Sequence, residues 1–142
     1  MTKQQYKQIY NITGAAMEVY NTLGRGMDEL IYQEALQMEL ASRNISAQRE
    51  VWFELYYKGQ KMKKKYKADF VVDDIIVELK SVSVFSPEHR VQLFNYMRIA
   101  KQKIGILMNF GGKFFAAERY WYKEETDDFI LLKESNYKEY IE

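Results

Sequence analysis

The chain has 142 residues, 47% of them hydrophobic and 29% charged, with a formal net charge of +1. One domain is expected, burying roughly 68–70% of its unfolded surface, and the near-neutral charge leaves no global field toward nucleic acid or membrane. The absence of cysteine excludes disulfides and thiolate metal sites, and a single histidine excludes a multi-histidine zinc centre.

Residues 3–23 are expected to form a helix, with Ile9, Ile12, Ala16, Val19, Tyr20 and Leu23 in one stripe, Thr2 as N-cap and Glu18 facing water. Gly24-Arg25-Gly26 stops it. A second helix runs from Asp28 to about Arg43, with Ile31, Tyr32, Ala35, Leu36 and Leu40 as its apolar face. At 100° per residue, Glu29 falls between Leu36 and Leu40 on that face. Either it reaches solvent at a frayed first turn or serves the helix dipole, or it points inward at something positive.

A strand over Val51–Tyr57 turns at Lys58-Gly59-Gln60 into a long strand, Lys61–Val72. Lys61, Lys63, Lys65 and Lys67 share the parity of Asp69, and so its face if no bulge intervenes. They read either as a solvated hairpin arm or as a basic rail for phosphates. Asp73-Asp74 makes a tight turn into a strand ending Val77-Glu78-Leu79-Lys80. Ser86-Pro87 opens a helix to about Ala100, with Leu93, Phe94, Met97 and Ala100 on its core face and His89, Gln92 and Tyr96 along the border. Lys103–Phe110 and Phe114–Tyr122 are further strands, and residues 123–142 supply an edge strand and a short helix. No apolar run of spanning length and no leader is present, so a soluble, cytoplasmic protein without membrane contact is expected. The twelve tyrosines are read first as core and rim filling.

The chemistry concentrates on Asp69, Glu78 and Lys80. Glu78 and Lys80 point to one face of their strand, and Asp69 lies across the hairpin. Two carboxylates ~5 Å apart at an effective dielectric of ~20 repel by roughly 3 kcal/mol. Lys80 offsets part of this, and a divalent cation offsets it better. Hard oxygen donors point to Mg²⁺ or Mn²⁺, which would polarise a phosphoryl oxygen and acidify bound water. Lys80 is placed to orient or deprotonate that water. The plainer alternative is a salt-bridged group on a solvated sheet face.

The order Asp69-x8-Glu78-x-Lys80 on a strand–turn–strand, a preceding helix glutamate and a following Gln92-x-x-x-Tyr96 resembles the PD-(D/E)xK nuclease superfamily. Within it, Gly26-x-x-Glu29-x-x-Tyr32 looks like the GxxExxY group, and Gln92/Tyr96 match the RecB-like branch. The resemblance spans roughly residues 8 to 112. It implies a restriction-endonuclease-like α-β-β-β-α-β core, an α/β fold with a central mixed sheet flanked by helices. It also implies metal ligation by Asp69 and Glu78 with help from Glu29, catalysis by Lys80 supported by Gln92, and nucleic-acid or packing contacts by Tyr96. Ala68 stands where the nominal motif has proline, and His89 is carried only as a candidate nucleic-acid contact.

The implied activity is hydrolysis of phosphodiester bonds in DNA, RNA being less favoured. Sequence specificity would then come from a homodimer or a partner protein. The alternatives are a catalytically silent nucleic-acid- or protein-interaction module on the same fold, and a phosphodiesterase for small nucleotides.

Overall fold

The computed structural model describes residues 1–142. The elements are α1 (Lys3–Leu23), α2 (Glu29–Ser42), β1 (Gln48–Tyr57), β2 (Gln60–Val72), β3 (Ile75–Lys80), α3 (Pro87–Ile99), β4 (Ile104–Asn109), β5 (Ala116–Lys123) and β6 (Asp128–Leu131). Short 3-10 turns lie at Glu124–Thr126 and Tyr137–Tyr140. From α2 to β4 the order is the expected α-β-β-β-α-β.

α1 begins in a capping box, with Thr2 and Gln5 exchanging side-chain and backbone hydrogen bonds. It ends at Gly24, whose φ of 80° only glycine adopts without strain. Its expected stripe is buried at Ile9, Ile12, Ala16 and Val19, and Glu18 faces solvent. α2 follows the expected stripe at Tyr32, Leu36 and Leu40, but Ile31 is 46% exposed and Gln33 is buried in its stead. Ile31 was expected on the apolar face, and the contact with the sheet has rolled away from it toward Gln33.

The six strands pair in sequence order, β1 through β6. Only β3 and β4 run parallel, which α3 permits by crossing between them; every other pair is antiparallel. One core lies between the sheet and α1–α2, with Phe70, Val72, Ile75, Val77 and Leu79 facing Ile9, Ile12, Tyr32 and Leu36. The other lies under α3, with Tyr66, Ala68, Ile76 and Leu107 facing Leu93 and Met97. α3 packs close because β4 carries a glycine there; a Cβ on Gly105 would come within 2.6 Å of Met97 Sδ.

These two cores expose a break in β2. Tyr66, Ala68, Phe70 and Val72 share one parity, yet the first two join the α3 core and the last two the α1–α2 core. The strand therefore rolls over between Ala68 and Phe70, at Asp69. Opposite it, Glu50 of β1 has a φ of 54°, and the ladder skips the Glu50–Asp69 pair. Pairing of β2 with β3 covers only Phe70–Val72 against Ile75–Val77. Beyond that point the strands part.

The exits of β3 and β4 are tied together. Buried Asn109 accepts at Oδ1 from Val82 N and Gly111 N, both at 3.0 Å, and its Nδ2 donates to Val82 O at 2.8 Å. Gly111 completes the close approach, since a Cβ there would lie 2.3 Å from Val82 N. Gly111→Ala is accordingly expected to lower stability by about 1–3 kcal/mol. Urea unfolding would read this as a lower midpoint at unchanged slope.

Candidate active site

The parting of β2 from β3 leaves Leu79 N without a ladder partner. Asp69 supplies one, accepting from it at Oδ2 at 2.8 Å. Its other oxygen accepts from Gln33 Nε2 at 3.2 Å. Gln33 is in turn fixed by Arg49, whose Nε donates to Gln33 Oε1 at 2.6 Å and whose Nη1 donates to Gln37 at 3.1 Å. A chain of hydrogen bonds thus runs from the exposed edge of β1 through α2 to Asp69.

Glu78 follows the parity of Ile76 and points to the α3 side. Its Oε1 accepts from the Tyr66 hydroxyl, leaving Oε2 free of side-chain donors. Tyr66 stacks on Tyr96 of α3, centroids 3.7 Å apart, and on Phe53 at 5.7 Å. Gln92 Nε2 donates to Tyr96 Oη at 3.1 Å. Burial, reinforced by the Asp69 charge, pushes the Glu78 carboxyl up to about 8, against a partial counter-effect from Tyr66 and Lys80. Burial and Glu78 together hold the Tyr66 hydroxyl far above its ordinary range. Lys80 is half-buried and forms no ion pair.

The fold therefore brings Asp69, Glu78 and Lys80 together, and links Gln92 and Tyr96 to Glu78 through Tyr66 rather than directly. Other candidates lie differently. Glu29 is exposed at the start of α2, so the inward, buried placement is not what the fold adopts. The stripe was right, but the first turn projects past the core; Gln33, one turn on and ~6 Å down the axis, is the residue that reaches Asp69. Met27 O and Gly26 N bond Ser81 and Phe110, so that first turn hangs over the strand exits beyond Lys80. Tyr32 is buried, with its hydroxyl donating to Gly24 O at 2.6 Å and accepting from Met27 N at 3.1 Å. It thereby shapes the loop that delivers Glu29. His89 caps its own helix, Nδ1 accepting from Ser86 N at 3.1 Å.

The basic rail is not continuous. The register of β1 with β2 shifts between Glu54 and Tyr56, and the roll at Asp69 breaks the alternation that would carry Lys67 onto Asp69's face. Lys61 and Lys65 both approach Glu54 at 3.4 Å, and Lys67 lies 4.0 Å from Glu50 and over the Trp52 ring. Lys63 alone is unpaired. Gln33, Arg49 and Tyr66 were missed by sequence reasoning. Only Gln33, a polar residue within the α2 stripe, carried a sequence signal.

The donor set of the site is two hard-oxygen carboxylates, and no third Asp, Glu, His or Cys joins them. That suits an ion which takes one or two carboxylates and keeps its remaining water, as Mg²⁺ and Mn²⁺ do.

With chelator present, folded Glu78 keeps its proton to about pH 8 whereas the unfolded chain loses it near 4.5. The folded state then binds the extra proton between these values, so stability falls as pH rises from about 5 to about 8. The expected result is a melting temperature that declines over this range in wild type and declines less in Glu78→Gln. Equal slopes would remove the raised carboxyl from the account.

A family model described as PD-(D/E)XK nuclease superfamily matches residues 6–120. No curated protein matches the sequence. Among solved structures, the crystal structure of SSO0001 is similar, at 25% identity and a TM-score of 0.51 over 63% of this chain. The match takes in 48% of that protein, so the chain spans about half its length. No helix is long and apolar enough to cross a membrane. The sheet, its flanking helices and the match over most of the chain make this protein a member of the PD-(D/E)XK nuclease superfamily, with a restriction-endonuclease-like fold.

Proposed function

We propose that the chain acts as one domain, a Mg²⁺- or Mn²⁺-dependent nuclease that hydrolyses phosphodiester bonds in DNA, with RNA as the less favoured polymer. The observation that carries this is the meeting of Asp69 and Glu78 beside Lys80 where β2 leaves β3, with the Glu78 carboxyl pushed up by burial and by the Asp69 charge. Asp69 and Glu78 would hold the ion through their unshared lone pairs. When bound, it would act as a Lewis acid toward the phosphoryl oxygen and lower the pKa of water.

The other roles fall to the chain itself. Lys80 Nζ orients the attacking water and, once it has given up its own proton to solvent, takes the proton of that water. Tyr66 fixes the rotamer of Glu78, and Gln92 with Tyr96 braces Tyr66. Glu29, exposed on the overhanging first turn of α2, would supplement the metal or water site. Gly26, Glu29 and Tyr32 acting as one loop unit supports placement in the GxxExxY group, and Gln92–Tyr96 supports the RecB-like branch. A second copy or a partner protein would supply sequence specificity.

A silent interaction module is the second reading. The pairing of three rail lysines with Glu50 and Glu54 favours it, because phosphates there must displace carboxylates.

Lys80→Ala is expected to slow cleavage by about 10²–10⁴-fold while leaving the melting curve intact. Glu78→Gln should abolish saturable Mn²⁺ binding in calorimetry, and cleavage with it. Cleavage surviving in Glu78→Gln would reject the assigned site. Absence of Mn²⁺ binding in wild type, with and without DNA, would favour the silent module.

A further inference from the structure

The first turns of α1 carry an unusual outer face. Lys3, Tyr6, Lys7 and Tyr10 recur at i, i+3, i+4 and i+7, so two lysines and two tyrosines share one side. Opposite them lie Tyr137 and Lys138 of the C-terminal 3-10 turn, and the two segments enclose an open cavity of about 750 Å³. Its floor is a stacked pair: the Tyr6 and Tyr137 rings lie 3.8 Å apart with 4° between planes. Tyr10 remains 65% exposed beside that floor with no ring against it. None of the three lysines forms an ion pair, and Glu142 is the one acidic side chain lining the cavity.

An exposed ring over a stacked aromatic floor, ringed by unpaired ammonium groups, complements a flat aromatic body joined to an anion. The cavity is of small-ligand size. We propose that this groove binds a nucleotide unit of a single-stranded nucleic acid, the base stacking on Tyr10 and the phosphates lying among Lys3, Lys7 and Lys138. The proposal rests on nucleic acid being the polymer this chain handles. An acidic peptide would match the lysines but leave the tyrosines without a stacking partner.

The groove and the candidate active site are at opposite ends of β3. Gln5 and Gln8 of α1 bond Asp74 and Asp73, in the turn before β3, whereas Glu78 lies four residues beyond Asp74, ~13 Å along the strand. A strand held at the groove would therefore be tethered without occupying the carboxylates.

The test is fluorescence anisotropy with a labelled oligothymidylate in chelator, where cleavage is silent. Tyr10→Ala is expected to weaken binding by about tenfold, and Tyr10→Phe to leave it unchanged. Lys3→Ala and Lys7→Ala together should reduce the salt slope by about 1.4, roughly 0.7 per lost phosphate contact. Melting curves verify that these exposed substitutions leave the fold intact.

Wild-type affinity and salt slope in Tyr10→Ala and the double lysine variant would overturn the proposal. So would equal displacement of the probe by polyglutamate, which would make the groove a general anion site. Cleavage in Mn²⁺ is scored separately. Cutting with an inert groove overturns the groove alone, and a groove that binds without any cutting leaves it standing while the nuclease reading falls.

Discussion

The site depends on one unsatisfied backbone donor. Where β2 leaves β3, Leu79 N would be an orphan, and a buried unpaired N–H costs about as much as a lost hydrogen bond. Asp69 fills that position, and in doing so is held beside Glu78. The same carboxylate therefore closes the fold and raises the local negative potential. Its own orientation is passed down from Arg49 through Gln33, so β1 and α2 are fastened to the site by polar contacts as well as by their cores.

Glu78 is supported from the other face of the sheet. Tyr66 bonds it, Tyr96 stacks on Tyr66, and α3 sits close because β4 offers Gly105 beneath Met97. The two carboxylates are thus positioned by different layers, Asp69 through α2 and Glu78 through α3. The sheet between them is complete only as far as Val77.

Much of this was legible in the sequence because it follows simple periods. The helix stripes, the turns at Gly59 and Asp73, the Ser86-Pro87 start and the buried run Ile104–Met108 all appear where alternation and capping chemistry place them. Asp69, Glu78 and Lys80 were readable as a group because all three lie on one hairpin. What was not readable depends on departures from periodicity. The roll at Asp69 breaks the parity rule that extended the lysines toward it, and no residue nearby is a glycine or proline to mark the break. Glu29 lay on the correct azimuth of α2, but a wheel carries no information on where the helix overhangs its core. Tyr66 sits amid lysines and looks like part of a solvated arm until the α3 contact is known.

Asp73 gives the hairpin a consequence that reaches beyond its own turn. It occupies the left-handed region at φ 54°, in a two-residue connection that sets Val72 opposite Ile75. That turn is the indexing mark of the whole segment. One residue inserted or removed there would turn Glu78 and Lys80 over to the α1–α2 side, away from Tyr66, without altering a single reactive group. The chemical identity of the site is written at Asp69, Glu78 and Lys80, but its handedness is written at the far end of the hairpin. Changes of turn length in related chains would therefore alter which layer the carboxylate addresses.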